Sequence, residues 1–459
     1  MLAIPMAKLV YLLTFCAITL DKIDRIIISN KSNRVICQFF FPSMISMRML
    51  LHKKIQKHGL ASRLSLLLIG LFFALPNLAG NAMAQEIPCL HNSYVLGMST
   101  VLSGPVANLG INMRNGVLAA LKEINVQGGI QGKSLCLIVL DDGYEPERTV
   151  PNMHRLIAQE NVLAVIGNVG TPTAIAAVPI ANRNHVPFFG AFTGAGILRR
   201  IPPDHYVVNY RASYAEETAA MVQALITYGN LKPNEIAFFT QRDAYGDSGF
   251  VGGLAALKKN GLQDETQITH GRYERNSLAV ENSLADILLA DPEPKAVIMV
   301  GTYAPSAKFI RLARNYDLKS LFLNVSFVGA DALAQALGDE EDGVIVTQVV
   351  PHLDSSLPIV QDFHKALHRF NPAIAPTFGA LEGYISTRIF LQALKTVSGE
   401  ITRESIIDAL ENLGQFELGF SAPLKLSKNE HQASHQIWPT IIRMGEVHPF
   451  NWKQLKNLP

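Results

Sequence analysis

Two loops of the sequence combine small residues with hydroxyl groups, at positions 166–173 and 188–196. The first loop contains Thr171 and the second contains Thr193, each after a short apolar stretch and before a helical pattern. The N-terminus of a helix offers free backbone N–H groups and a positive dipole end to an anion. Either threonine alone also fits a simple helix cap. Two such loops on successive strands favour an anion-binding site.

Other motifs with possible chemistry lack the partners that they need. Residues 246–249 read GDSG, as in the nucleophile segment of trypsin-like proteases, but the sequence places them between a strand and a helix of an α/β chain. His431 and His435 are four residues apart without an HExxH motif, which predicts a polar surface loop. We therefore expect no enzymatic activity, no metal and no cofactor.

The elements around the two loops alternate between strands and helices almost throughout. Apolar strands separated by amphipathic helices are typical of an α/β fold with parallel sheets covered on both faces. The roughly 375 residues after position 84 exceed one such sheet, so we expect two lobes. Ligands of open parallel sheets bind at the carboxyl ends of the strands, where both loops lie.

The charge of the chain is unevenly distributed. The 459 residues have a formal charge of +2 and are 48% apolar. Residues 1–84 hold ten lysines and arginines but two acids; the rest keeps 30 basic and 36 acidic residues, a formal charge of −6. This remainder has no basic excess to attract nucleic acid.

Residues 52–84 have the layout of a secretory signal. A basic region precedes the apolar stretch Leu64–Leu75, and the segment ends in an A-x-A pattern at Ala84. We predict cleavage before Gln85 and export to the periplasm, with no stable membrane insertion afterwards. The alternative is an uncleaved anchor, although the apolar stretch is shorter than the roughly 20 residues of a bilayer span.

Residues 1–46 do not fit in front of a signal, because signals begin at the N-terminus. Met47 and Met49 both lie just before the basic region, so we expect translation to start at one of them. The alternative is that Leu9–Leu20 forms an additional anchor.

Cysteine usage also fits an oxidising compartment. Cys89 and Cys136 are the two cysteines that remain after the signal. One precedes the first strand and the other lies early in the second, and these strands are neighbours in a doubly wound sheet. We therefore predict a disulfide between them.

Several motifs resemble a known family. The segments GMSTVLSGPVA (97–107), GGIQGK (128–133) and DAYG (243–246) resemble the leucine/isoleucine/valine-binding proteins, which are type I periplasmic binding proteins of ABC importers. The similarity extends from about Tyr94 to Trp438. It implies two Rossmann-like lobes with parallel sheets, joined by a three-crossover hinge.

The resemblance also implies the boundaries of the lobes. Residues 85–210 and 349–420 are expected to form the first lobe, after an extension and signal at 1–84. Residues 211–348 and 421–459 are expected to form the second lobe.

Carried over by position, the first lobe provides most of the ligand site. Thr171 and Thr193 match residues that hold the ligand carboxylate. Phe192 matches a position that offers its backbone carbonyl to the ligand ammonium, and Leu109 stands where the family often has an aromatic contact.

The second lobe matches the family less closely. Tyr245 and, approximately, Tyr303 match aromatic contacts. Ser326 aligns with the acid that pairs with the ligand ammonium, and a hydroxyl cannot supply that charge. Glu382 of the first lobe is one candidate replacement; alternatively it is a helix-start acid with a solvent or dipole partner.

These features predict an exported solute-binding protein that closes around a small carboxylate-bearing ligand, an amino acid or a related compound, and delivers it to an ABC permease complex. One alternative is a ligand-sensing subunit for a separate membrane signalling protein. Another is a binder of an aromatic or aliphatic carboxylic acid or amide.

Overall fold

The computed structural model describes residues 89–339 and 342–457. The predicted signal, the start at Met47 or Met49 and the alternative anchor lie outside these residues. No helix in the described part of the chain has the length and apolar character needed to cross a membrane.

The first sheet is entirely parallel and has the strand order β2-β1-β3-β4-β5. Its strands are β1 (Tyr94–Thr100), β2 (Leu135–Asp141), β3 (Ala164–Ile166), β4 (Phe188–Phe189) and β5 (Val207–Val208). We call the part of the molecule built on this sheet the first lobe.

The second sheet has the order β14-β13-β10-β9-β8-β6-β7; β13 pairs antiparallel with both β10 and β14, and the other pairings are parallel. The remaining strands are β6 (Ile236–Gln241), β7 (His270–Tyr273), β8 (Ala296–Val300), β9 (Leu321–Asn324), β10 (Val344–Gln348), β11 (Gly414–Phe416), β12 (Leu424–Leu426), β13 (Trp438–Arg443) and β14 (Glu446–Pro449). Strands β11 and β12 pair only with each other. The second lobe is built on the seven-stranded sheet.

Helices connect the strands and cover the sheets. They are α1 (Ala107–Val126), α2 (Pro146–His154), α3 (Thr171–Arg183), α4 (Tyr214–Thr227), α5 (Ala244–Lys259), α6 (Glu281–Leu288), α7 (Tyr303–Asn315), α8 (Ala330–Leu337), α9 (Pro358–Phe370), α10 (Phe378–Thr396) and α11 (Arg403–Glu411). This alternation is the predicted α/β fold.

The chain passes between the lobes three times. It leaves the first sheet after β5, leaves the second after β10, and returns to it at β13. Between the last two passages, α10 packs against α1 of the first lobe. Gly116 permits this close approach, because a Cβ atom there would lie 1.9 Å from the carbonyl oxygen of Ala380. The predicted fold of two lobes with a three-crossover hinge is therefore confirmed.

The predicted disulfide is present. Cys89 and Cys136 are bonded, with their Cα atoms 5.2 Å apart. Cys136 lies on β2, where it pairs with Val95 of β1, so the bond ties the segment before β1 to the neighbouring strand.

The GDSG segment differs from its prediction. Residues 246–249 lie inside α5 rather than between a strand and a helix. Asp243 caps this helix by accepting a hydrogen bond from the backbone N–H of Tyr245 at 3.0 Å. Gly249 faces Val300 of β8 so closely that a Cβ atom would lie 2.5 Å from it. The small residues thus let the helix approach the sheet.

Candidate ligand site between the lobes

The two hydroxyls predicted from the loops lie together. Thr171 is the first residue of α3, and Thr193 follows β4, which is paired with β3. Both residues are fully buried, and their Oγ1 atoms are 2.7 Å apart. Thr171 is not a side-chain cap of α3, because the capping position is Gly170 and no side-chain hydrogen bond forms there.

Gly170 determines how α3 begins. Its φ of 108° lies in a region that favours glycine, and a Cβ atom there would lie 2.3 Å from the ring of Tyr144. The first turn of α3 therefore begins directly after a position that only glycine can occupy. The free backbone N–H groups of that turn lie beside the hydroxyl pair.

Arg199 holds the loop that carries Thr193. Its guanidinium donates to the backbone carbonyls of Thr193 at 3.3 Å, Ala195 at 3.0 Å and Arg211 at 2.9 Å. Its Nε donates to the side-chain oxygen of Gln432 at 2.6 Å. One side chain thus links the site loop to two of the three passages between the lobes.

An aromatic cluster from both lobes lies next to the hydroxyl pair. The ring of Phe327, in a short turn after β9, has its centroid 4.7 Å from Tyr245, 5.4 Å from Phe192 and 6.4 Å from Tyr214. Tyr214 packs closely against the loop beside Thr193. A Cβ atom at Gly194 would lie 2.6 Å from the backbone nitrogen of Tyr214, so no larger residue fits there. Phe327 of the second lobe is therefore in contact with rings of both lobes, including Phe192, which precedes Thr193.

The predicted aromatic residues have different surroundings. Tyr245 is fully buried, and its hydroxyl donates to the carbonyl of Gly301 at 3.2 Å. Tyr303 is half-buried at the start of α7. Leu109 of α1 and Tyr303 both approach Gly329, at 2.7 and 4.0 Å from the position of a Cβ atom.

A small cavity of ≈ 10 Å³, about the volume that one water needs, lies between the lobes. Four predicted residues line it, namely Leu109, Phe192, Ser326 and Glu382. The other four, Thr171, Thr193, Tyr245 and Tyr303, do not. A ligand as large as an amino acid does not fit in this space unless the residues that line it move apart.

The backbone carbonyl of Phe192, predicted to face an ammonium, accepts a hydrogen bond from the N–H of Gly170 at 3.2 Å. A carbonyl oxygen has a second lone pair, so this bond leaves room for another donor. The Phe192 ring also makes a cation–π contact, because the Arg211 guanidinium lies 4.9 Å from the centroid of the ring.

A buried charged cluster adjoins the cavity. The Arg211 Nη2 lies 3.3 Å from Glu217, and Nη1 lies 3.5 Å from Glu382. Ser326 donates to Glu217 through its backbone N–H at 2.8 Å and its hydroxyl at 3.0 Å, and Arg211 donates to the Ser326 hydroxyl. Thr347 donates to Glu217 at 2.6 Å.

Burial and neighbouring charges act in opposite directions on this cluster. Burial opposes the charge of Arg211, but Glu382 and Glu217 outweigh it and raise the pKa of the guanidinium. Burial raises the pKa of Glu382 to about 7, against the attraction of Arg211 and with further repulsion from Glu217.

Sequence reasoning missed Glu217 and the charge of Arg211. A signal was available, because Ser213 and Glu216 form a capping box, which places the following Glu217 on the inner face of α4. An acid at such a position needs a buried partner. Within residues 89–339 and 342–457, no group of three histidines, cysteines or acids has the arrangement of a metal site.

Comparison with known proteins identifies the family. A model described as "periplasmic binding protein" matches residues 93–445. A Leu/Ile/Val-binding protein homolog of Brucella abortus is 24% identical over 315 residues, which are 66% of this chain and 77% of the relative. A leucine-specific-binding protein of Salmonella typhimurium is 25% identical over 274 residues, 58% and 70% of the two chains.

Solved structures agree with this assignment. A possible leucine/isoleucine/valine-binding protein from Rhodopirellula baltica has 54% sequence identity and a TM-score of 0.78, over 80% of this chain and 99% of that one. This chain belongs to the type I periplasmic binding proteins, in the family of the leucine/isoleucine/valine-binding proteins.

Proposed function

We propose that this chain is an exported solute-binding protein that captures a small carboxylate-bearing ligand of the amino-acid class between its lobes. It then delivers the ligand unchanged to an ABC importer. The observation that carries this proposal is the buried hydroxyl pair of Thr171 and Thr193 at the start of α3, facing aromatic residues of the second lobe. The names of its relatives, which refer to leucine, isoleucine and valine, support the same ligand class.

The hydroxyl pair suits a carboxylate. The hydroxyls of Thr171 and Thr193 hydrogen-bond each other, and a carboxylate would accept stronger, charge-assisted bonds from both. The N–H groups of the first turn of α3 add donors and a favourable dipole. Leu109 and Phe192 provide apolar surface for the body of the ligand.

Separation of the lobes provides the way in. Phe327, Tyr214 and Tyr245 all belong to the second lobe, so a hinge motion withdraws their rings from Thr193 and Phe192 together. On closing, Tyr245 and Tyr303 cover the ligand from that lobe. The ligand shifts the equilibrium towards the closed form only through contacts that the open form lacks. A permease that recognises the closed form then receives loaded protein.

Calorimetry on the exported protein tests the carboxylate site. Replacing Thr193 with alanine removes a hydrogen bond to a charged group, which weakens binding by about 10- to 150-fold, or ~1.5–3 kcal/mol. Thr193→Ser keeps the hydroxyl and is the matched control, with affinity close to that of the wild type. L-Leucine and L-phenylalanine are suitable ligands, and chromatography of the recovered ligand checks that it is unchanged. Equal affinity in wild type and Thr193→Ala, with both folded, would place the carboxylate elsewhere.

A further inference from the structure

The carboxylate of Glu382 is a buried polar group without a hydrogen bond. Glu382 lies on α10 of the first lobe, is 2% exposed and lines the cavity between the lobes. Among the residues that the structure describes, none donates a hydrogen bond to it; its nearest cation is Arg211 Nη1 at 3.5 Å. Since buried polar groups nearly always have a partner, this carboxylate has capacity for a donor from the ligand.

The two acids of the cluster differ in their hydrogen bonding. Arg211 is the cation between two carboxylates, Glu217 and Glu382. Glu217 receives three further hydrogen bonds, from the backbone and hydroxyl of Ser326 and from Thr347. Glu217 is therefore saturated, whereas Glu382, on the side of the cavity, has the nearby charges of Arg211 and Arg199 but no hydrogen bond.

The other charged or titratable groups near Glu382 are engaged elsewhere. Arg199 gives its N–H groups to three backbone carbonyls and to Gln432. The Tyr210 hydroxyl donates to the carbonyl of Val349 at 2.9 Å. Asp331, the second acid of the cavity wall, accepts from the backbone N–H of Phe378 at 3.0 Å. Glu382 is the wall carboxylate that is left for a ligand.

We propose that Glu382 receives a cationic nitrogen of the ligand, so that the ammonium is bound from the first lobe rather than at Ser326. This inference rests on the proposed function and narrows its ligand class to carboxylates that also carry an amine. Ser326 is unsuited to the role, because its hydroxyl carries no charge and already donates to Glu217 and accepts from Arg211. Glu382 offers the opposite charge at a site open to the cavity.

A pH dependence follows from the burial of Glu382, which raises the pKa of this carboxyl group to about 7. A bound ammonium stabilises the ionised carboxylate, so binding displaces a proton below pH 7. The affinity for an amine-bearing ligand therefore rises by about tenfold between pH 6 and pH 8. A carboxylic acid without the amine gains no such increase, because it has no charge to offer Glu382.

The experiment compares amino acids with their deaminated counterparts. L-Leucine and L-phenylalanine are titrated beside 4-methylpentanoic acid and 3-phenylpropanoic acid at pH 6 and pH 8, by calorimetry in two buffers that differ in ionisation enthalpy. The proteins are wild type, Glu382→Gln and a matched control, Glu123→Gln. Glu123 contacts the same helix α10 through Tyr384 and Arg388, but outside the cavity between the lobes.

In wild type and Glu123→Gln we expect an amino acid to bind at least about tenfold more tightly than its deaminated form at pH 8, with proton release at pH 6. In Glu382→Gln the preference and the proton release disappear, whereas the deaminated acids keep their affinity. If Glu382→Gln leaves the amino-acid affinity unchanged, or if only the deaminated acids bind, the inference is overturned while the carboxylate site stands. If none of the four compounds binds, the proposed function and this inference fail together.

Discussion

Arg211 joins three segments of the chain that are distant in sequence. Its guanidinium contacts Glu217 of α4, Ser326 after β9 and Glu382 of α10, and the Phe192 ring supports one face of it. All of these groups are buried. A cation in this position is replaceable only at a high energetic cost, because two carboxylates depend on it.

Truncation of Arg211 measures that dependence. In Arg211→Met the apolar volume is roughly kept but both acids lose their cation, which we expect to lower the free energy of unfolding by about 3–5 kcal/mol. Urea unfolding at pH 7 measures the difference, and Arg211→Lys, which retains the charge, is expected to lose less. Unfolding midpoints of Arg211→Met and wild type that coincide would contradict a structural role of the cluster.

Glu382 also makes stability depend on pH. Its folded-state pKa of about 7 lies above the ordinary value of 4.5, so its contribution is fully present below pH 4.5 and is lost as pH rises through 7. In Glu382→Gln the side chain cannot ionise, so the variant does not lose this stability as the pH rises. We expect the variant to match the wild type near pH 4.5 and to exceed it by about 1–3 kcal/mol at pH 8, in chemical unfolding without added ligand. A difference that does not change with pH would contradict the raised pKa.

Residue types and spacing predicted that the loops of Thr171 and Thr193 lie together. The two threonine loops were found from the sequence because β3 and β4 are consecutive and parallel, so their carboxyl ends meet. The pairing of Arg211 with Glu217 and Glu382 depends on how α4 and α10 pack in three dimensions. A pattern of apolar residues defines the inner face of each helix, but not which charge on one face meets which charge on another.

Helical periodicity in the sequence predicts helix starts at positions 216, 249 and 380. In the structure the corresponding helices α4, α5 and α10 begin earlier, at Tyr214, Ala244 and Phe378. In each case a polar side chain just before the helix, on Ser213, Asp243 or Thr377, accepts a hydrogen bond from the first turn. The prediction followed the first apolar repeat, whereas the backbone begins at the cap.

Short elements leave little signal in the sequence. Strand β7 has four residues with alternating burial at the edge of the second sheet, and α8 has eight residues. The sequence of β7, HGRY, has too few apolar residues to show a period of two. Such a strand forms because β6 beside it offers free backbone groups, not because of its own sequence.

The disulfide belongs to the first two strands, and its removal should be costly. The cysteines are 47 residues apart in sequence, so the bond restricts a long loop of the unfolded chain. We expect reduction to lower the free energy of unfolding by ~3–4 kcal/mol in the loop-entropy model. Thiol titration of denatured, unreduced protein should find no reactive cysteine among those after position 84. Two reactive thiols would show that the bond does not form.

For the whole molecule, side chains from both lobes meet at the rim of the cleft. Glu145 of the first lobe accepts hydrogen bonds from Arg275 at 2.8 Å and Asn276 at 2.6 Å, both of the second lobe. These contacts exist only when the lobes are together. They therefore stabilise the closed form relative to the open form.

Removal of the Glu145 carboxylate should favour the open form. In Glu145→Ala we expect a larger radius of gyration by small-angle X-ray scattering and an affinity for L-leucine lower by about 3- to 10-fold. Glu147→Ala, an exposed acid on the neighbouring α2, removes the same charge and serves as the control. An unchanged radius and affinity in Glu145→Ala would show that the rim contacts do not control closure.

The N-terminal region gives a separate prediction for the exported molecule. The layout of residues 52–84 predicts a mature protein that begins at Gln85. N-terminal sequencing of protein recovered from the periplasm checks this. A stable exported product that retains Leu64–Leu75 would indicate an anchor instead.

The packing of α10 against α1 also governs how the chain reaches its native state. These helices belong to one lobe, yet the whole parallel part of the second sheet lies between them in sequence. During synthesis or secretion, the first lobe has no partner for the inner face of α1 until most of the chain has emerged. Pairings of such sequence separation carry a loop-closure cost and slow folding. We therefore expect completion of the first lobe to be a late step of folding, because α10 follows the whole parallel part of the second sheet in sequence.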